Sequence, residues 1–166
     1  MTVTAEDMKA TLRLWASGVT VVTTANDESR AGTTASSFTS VSVDPPLILV
    51  CLYHETEILR QIQANGYFAV SVLGVGDADV SIQMAGFANL PDGVDRFHGI
   101  EWRTEITGAP IFARAIGWLD CTLHEVYNGG THKIVLGKIA AAGRMTDDAA
   151  PLLYFNRGYG TFGNSK

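Results

Sequence analysis

Polar and apolar residues change their spacing several times along the chain, and each change predicts an element. Thr4 and Asp7 have the spacing of a capping box. Met8, Leu12 and Trp15 then recur at helical intervals until Gly18 breaks the pattern, which predicts one short amphipathic helix. The next run, GVTVVTTANDESRAGTTASS, places β-branched stretches on either side of a turn-rich Asn26 to Ser29 and predicts a hairpin. Asp44-Pro45-Pro46 removes backbone donors and enforces an extended turn before LILVCLY, whose unbroken apolar character predicts a fully buried strand.

Helical spacing returns over 56–64, where Ile58, Leu59 and Ile62 share a face and Asn65-Gly66 supplies the C-terminal stop. YFAVSVL then alternates as a strand. Asp77 is placed to cap a further helix with Val80, Met84 and Phe87 along one side. After a loop, ANLPDGVDRFHG, strands are predicted for IEWRT, AIGWLDCTLHEVY, HKIVLGKIAAAGRM and LLYF. Many strands, few short helices and no regular βαβ alternation argue against a doubly wound parallel sheet and predict a mainly β fold, an antiparallel barrel with peripheral short helices. With no internal repeat, low-complexity segment or linker, residues 1–166 are expected to form a single domain.

Composition narrows the function classes. Charged residues make up 17% of the chain and hydrophobic ones 46%, so some apolar surface is expected to be covered by a second subunit. A net charge of −5 opposes the phosphate neutralisation on which nucleic-acid binding depends, so no nucleic-acid partner is expected. Cys51 and Cys121 sit in apolar runs without CxxC spacing, which predicts buried free thiols in a reducing compartment rather than a disulfide or zinc site. The N-terminal segment has no continuous apolar run, and no stretch is long enough to span a bilayer. A cytoplasmic protein with no membrane partner is expected.

One segment does not fit an ordinary strand. In TTASSFTSVSVDPP, seven of the ten residues from Thr33 to Ser42 carry a hydroxyl. Read as one strand, it puts Thr34, Ser36, Ser40 and Ser42 on one face and Thr33, Ser37 and Thr39 on the other, whereas a solvated face needs only one polar side. Small side chains let a planar ligand approach the backbone, and hydroxyls with free N–H groups suit a polyol and a phosphate. Flavin mononucleotide has that chemistry, although Ser/Thr-rich strands also occur without any ligand.

Other motifs exclude more than they support. GYGTFG at 158–163 has the form of a dinucleotide fingerprint, but such glycines lead into a helix and three residues follow Gly163. Walker A, GxSxG and HExxH patterns are absent. His54, His98, His124 and His132 show no metal-ligand spacing, and no metal is expected. His132 follows NGGT, which puts it at the start of a strand on the barrel rim, where it can face a ligand or simply solvent.

The ordered series GVTVVTT, TASSFTSVSVDPPLILVC, NGYFAVSVL, DRFHGIEW, TGAPIFARAIGWLDC, THKIVLGKI and PLLYFNRGY resembles the flavin reductase family of FMN-binding split β-barrels, from about Thr11 to Tyr159. The resemblance implies a Greek-key split barrel, usually a homodimer. It also implies NAD(P)H-dependent reduction of FMN or FAD, with reduced flavin passing to a separate oxygenase component. By position, Thr33, Thr34, Ala35, Ser36 and Ser37 would lie along the isoalloxazine and ribityl chain, and Ser40 and Ser42 would extend that track. Cys51 and Leu52 would border the flavin, with Phe87 and Arg96 matching an aromatic and a basic position. Arg96 would bind phosphate oxygens bidentately. His132 and Tyr159 would approach the nicotinamide of NADH or NADPH, His132 as a positioning group in hydride transfer.

Two positions depart from the family pattern. Ile58 stands where a phosphate-binding hydroxyl is usual, with Thr56 two residues earlier between Glu55 and Glu57. Thr131 replaces a carboxylate before the histidine. Two other readings remain open: a flavin-dependent reductase of a dedicated acceptor such as a corrinoid, and a non-catalytic flavin- or haem-binding barrel.

Overall fold

The computed structural model describes residues 2–145 and 149–162. In chain order the elements are α1 (Ala5–Leu12), β1 (Ser17–Gly18), β2 (Thr20–Ala25), β3 (Arg30–Ala35), β4 (Phe38–Ser42), β5 (Leu47–Tyr53), α2 (Glu57–Asn65), β6 (Tyr67–Val72), α3 (Ala78–Met84), β7 (Trp102–Arg103), β8 (Ile111–Phe112), β9 (Gly117–Gly129), β10 (His132–Arg144), β11 (Leu153–Phe155) and β12 (Gly158–Gly160). Seven strands form one antiparallel sheet in the order β3-β2-β6-β9-β10-β5-β4.

The edge strands of that sheet, β3 and β4, are consecutive in sequence and joined by Ser36-Ser37 alone, so the sheet must curl until its edges meet. The edges close without a β3–β4 ladder. Pairing of β4 with β5 ends at Phe38 opposite Val50. The Ser37 hydroxyl takes over the next rung, donating to Cys51 O at 2.9 Å and accepting from Cys51 N at 3.2 Å. This is the split β-barrel expected from the resemblance. Curvature comes from the long β9–β10 hairpin, whose register shifts at Leu136/Gly137 and Ile139/Ala141. At Gly137 a Cβ would lie 2.5 Å from Cζ of the fully buried Phe68, so the strands can cross here only over a glycine.

The barrel interior holds Val22, Ile48, Val50, Phe68, Val70 and Val135, and α2 closes it with Ile58, Leu59 and Ile62. Each of those helix residues removes an aliphatic side chain from water, worth about 1.5–3 kcal/mol apiece. A second cluster on the outer face of β2 packs Val19, Val21, Leu73, Met84 and Phe97 under α3 and the loop after it. Because β2 is covered on both faces, its burial shows no alternation, and its buried Thr20, Thr23 and Thr24 each donate their hydroxyl to a backbone carbonyl.

Four expectations are corrected. The hydroxyl-rich segment is two strands, not one: its path breaks at Ser36-Ser37 and its halves lie at opposite edges of the sheet, which annuls the two-face assignment. The capping box of α1 forms, but the helix ends at Leu12 and its stripe faces outward, with Met8 53%, Leu12 57% and Trp15 74% exposed. An apolar stripe fixes helical period, not which surface it meets. Phe87 lies beyond the end of α3 and is 83% exposed, because the chain turns at Gly86 with φ 84°. IEWRT contributes only Trp102–Arg103 as strand.

Candidate functional site

Edge strand β3 has ladder partners on one side only, so alternate backbone N–H and C=O groups face the gap in the barrel. Along this gap lies a cavity of about 540 Å³ lined by Thr33, Thr34, Ala35, Ser36, Ser37, Cys51, Leu52, Tyr53, Thr56 and His132. The structure therefore brings together nine of the residues singled out from the sequence. The hydroxyls divide into two groups. Thr34 donates to Ser81 O at 2.6 Å, Thr56 to Tyr53 O at 2.7 Å and Ser37 to Cys51 O, so these three hold the fold together. Those of Thr33 and Ser36 have no protein partner among the described residues and face the cavity as free donors and acceptors.

A second cavity of about 390 Å³ shares Thr33 and Thr56 with the first and adds Arg30, Ile58, Asp95, Arg96 and Phe97. Its two arginines differ. Arg30 is bound by Asp95 through Nε at 2.5 Å and Nη2 at 3.1 Å, with its guanidinium over the rings of Phe97 and Trp102. That bond holds the Asp95 carboxyl below its ordinary value. Arg96 donates to Met84 O at 3.0 Å and lies against Gly86, where a Cβ would come within 2.5 Å of Nη2. Among the described residues Arg96 is in no ion pair, so its positive charge is not neutralised by a carboxylate.

Ile58 is 3% exposed and belongs to the core. A hydroxyl there would have no reason to reach a ligand. Thr56 is the N-cap of α2 but makes no side-chain cap, which leaves the first-turn N–H groups beside this cavity without that partner. The flanking carboxylates are engaged elsewhere. Glu57 binds Arg60 at 2.6 Å and Gln61 at 3.0 Å along its own helix, while Glu55 accepts from the Tyr53 hydroxyl at 3.1 Å and raises the pKa of that phenol.

His132 begins β10 directly after the tight Gly130-Thr131 turn and stands opposite Tyr53 on β5. Their rings meet edge to face with centroids 5.8 Å apart. Thr131 Oγ1 shares a hydrogen bond with His132 Nδ1 at 3.0 Å, so the threonine replaces the expected carboxylate as the orienting group. The backbone carbonyl of Thr131 is taken by His54, through N at 3.2 Å and Nδ1 at 2.7 Å.

Phe87 and Tyr159 lie in a third cavity, about 280 Å³, which adjoins the first through Thr34 and Ser36. There the Tyr159 hydroxyl and Ser81 Oγ are 2.9 Å apart. Ser40 and Ser42 line none of these three cavities. They lie further along β4, at the bulge opposite Ile48 and Leu47, so the polar track stops at Ser37. Tyr53 and Ser81 were missed in the sequence. Tyr53 could be found only by pairing the end of LILVCLY with the strand that begins at His132, and Ser81 carries no local signal. GYGTFG begins with β12, Gly158–Gly160, and continues through Thr161 and Phe162 without helix, which removes the fingerprint reading; Gly163 lies outside the described residues. Both cysteines are free, Cys121 buried and Cys51 half-buried at the cavity wall. Burial and the neighbouring Asp120 push the Cys121 thiol up to about 12. Among the described residues no group of side chains could hold a metal, and no helix is long and apolar enough to cross a membrane.

Comparison with known proteins gives this geometry a family. Residues 12–163 match the flavin reductase like domain. An NADH-dependent FAD reductase of Streptomyces globisporus is 43% identical over 128 residues, 76% of this chain and 69% of that protein. The reductase component of 4-hydroxyphenylacetate 3-monooxygenase of Thermus thermophilus is 34% identical over 93% of this chain and 94% of its own. Among solved structures, a Streptomyces globisporus NADH:FAD oxidoreductase in complex with NAD and FAD fragments superposes with a TM-score of 0.87 at 33% identity, covering 99% of this chain and 98% of that one. With the split barrel and the polar gap at its edge, these matches show that the chain belongs to the flavin reductase family.

Proposed function

We propose that this chain forms one flavin-binding domain that uses NADH to reduce a flavin, which then serves a separate oxygenase. The observation that carries the proposal is the cavity at the β3 edge, where Thr33 and Ser36 present unpartnered hydroxyls beside open backbone groups. Its size and donor set fit a flavin. The small residues 33–37 leave room for a flat ring, and the adjoining cavity supplies Arg96 and the uncapped N-terminus of α2 for a phosphate. When bound, the flavin accepts hydride at N5 from reduced nicotinamide and so carries the redox chemistry.

The protein's own residues bind and orient. The β3 edge offers N–H donors where negative charge develops on reduction, and Ser37 keeps that edge against β5. His132, fixed by Thr131 and the Tyr53 ring, positions the nicotinamide from one side, and Tyr159, fixed by Ser81, does so from the other. Similarity to an NADH-dependent FAD reductase favours NADH and FAD over NADPH and FMN. Similarity to a monooxygenase reductase component supports a separate oxygenase partner. We further propose a cytoplasmic homodimer; exposed Val41 and Val43, and an open groove lined by Phe38, Trp118 and Leu119, are apolar surface that a second subunit would cover.

The test is NADH and NADPH oxidation by the purified protein with FMN, FAD or riboflavin. Turnover is expected, fastest with NADH and FAD. Absence of turnover with every pairing refutes the proposal. His132→Ala is expected to raise KM for NADH much more than KM for flavin, and equal effects would remove the positioning role.

A further inference from the structure

His132 stands at the end of a thinly packed turn. Gly129 and Gly130 precede Thr131, Gly130 has φ 83°, and a Cβ at Gly130 would meet nothing within 4 Å. Thr131 and His132 are both exposed, so burial does not decide where the imidazole points. Polar contacts have to hold it instead.

Those contacts close into a circuit. Thr131 Oγ1 lies 3.0 Å from His132 Nδ1. The carbonyl of the same threonine accepts twice from His54, from N at 3.2 Å and from Nδ1 at 2.7 Å. A carbonyl oxygen only accepts, so His54 has a proton on Nδ1, and its Nε2 faces Glu55 Oε1 at 3.6 Å. The other oxygen of Glu55 accepts from the Tyr53 hydroxyl at 3.1 Å. The Tyr53 ring in turn contacts both imidazoles, with centroids 4.8 Å from His54 and 5.8 Å from His132. Thus the path runs from His132 through Thr131, His54, Glu55 and Tyr53 back to His132.

Thr131 alone is a poor guide for the histidine. A hydroxyl both donates and accepts, so it selects neither state of the neighbouring ring nitrogen, and its own position depends on a glycine turn. His54 removes the second freedom by fastening the Thr131 backbone to the end of β5. With His54 40% and Glu55 68% exposed, these contacts add little to stability, and what they supply is direction.

We propose that His54 is a positioning residue for hydride transfer, aiming His132 through Thr131, with Glu55 tying His54 to Tyr53. The inference rests on the reductase reading for what the aim of His132 achieves.

The experiment separates aim from fold. His54→Ala keeps the backbone bond to Thr131 O and removes the one from Nδ1. It is expected to raise KM for NADH roughly three- to tenfold, with flavin Kd within about twofold and Tm within about 2 °C. His54→Asn puts an amide N–H where Nδ1 stood and should recover most of the loss. In a His132→Ala background, His54→Ala should add nothing further, because a residue that acts through another is not additive with it. Imidazole nitrogen NMR reads the ring directly: the His132 signals should move in His54→Ala and return in His54→Asn. No recovery in His54→Asn, full additivity with His132→Ala, or His132 signals indifferent to His54→Ala overturns the proposal while the reductase reading stands. His132 signals that respond to His54→Ala in a protein that oxidises no NADH refute the reductase reading and leave the brace.

Discussion

Adjacent serines at the gap in the barrel have opposite tasks, and alanine substitutions should separate them. Ser37 donates one hydrogen bond to Cys51 O and accepts one from Cys51 N, standing in for a ladder rung where β4 and β5 part. Each such bond is worth about 0.5–1.5 kcal/mol net, and water recovers part of it at this exposed position, so Ser37→Ala should cost about 1–2 kcal/mol. For a chain of this length that is a fall in Tm of roughly 2–6 °C. Ser36 has no protein partner for its hydroxyl among the described residues and lines the cavity. Ser36→Ala should therefore change stability by less than about 0.5 kcal/mol. It should weaken flavin binding roughly two- to tenfold, the value of one hydrogen bond. Calorimetric melting of the ligand-free protein and fluorescence titration with FAD supply both numbers. Equal Tm shifts for the two variants, or flavin affinity untouched by Ser36→Ala, would refute the division into a structural and a ligand-facing hydroxyl.

Thiol chemistry should separate the cysteines in the same way. With its thiol pushed up to about 12, Cys121 has only about one part in ten thousand as thiolate at pH 8 and should resist a disulfide reagent. Half-buried Cys51 should react, and saturating flavin should slow it; labelling of Cys121 first, or of Cys51 at the same rate with flavin present, contradicts the assignment. The Arg30–Asp95 pair gives an acid-sensitive contribution. Because Asp95 has its pKa lowered from 3.8 in the fold, the contribution is present above that pH and lost as pH falls through the folded value. Both side chains are over a third exposed, so the stability difference between the unaltered protein and Asp95→Asn should stay below about 1 kcal/mol at pH 7 and vanish in strong acid. A difference that grows on acidification would show the opposite sign of linkage.

The parts of this fold legible in the sequence are those decided within a short window. LILVCLY is a strand whose Leu47, Ile48, Val50 and Leu52 are buried while Leu49 and Cys51 are half-buried and Tyr53 is exposed, and Ile58, Leu59 and Ile62 fall on one side of α2 because helical period puts them there. The parts that were not legible depend on closure over distance. Nothing local separates Ser36-Ser37 from the hydroxyls around it, yet that dipeptide crosses from one sheet edge to the other and leaves the polar track ending before Ser40 and Ser42. Nothing local turns the stripe of α1 outward, since amphipathic period is the same whatever surface the helix meets.

The site was ambiguous for a chemical reason as well. In a reductase of this kind the redox chemistry belongs to the cofactors, and the chain contributes small side chains, open backbone and a few cations, none of which forms a motif. Only the order of many segments pointed to flavin. The contacts around His132 are harder still to read. His54 and Thr131 stand 77 residues apart, and the bond from His54 Nδ1 to Thr131 O exists only once β5 has paired with β10. A local pattern search could not have found this pair.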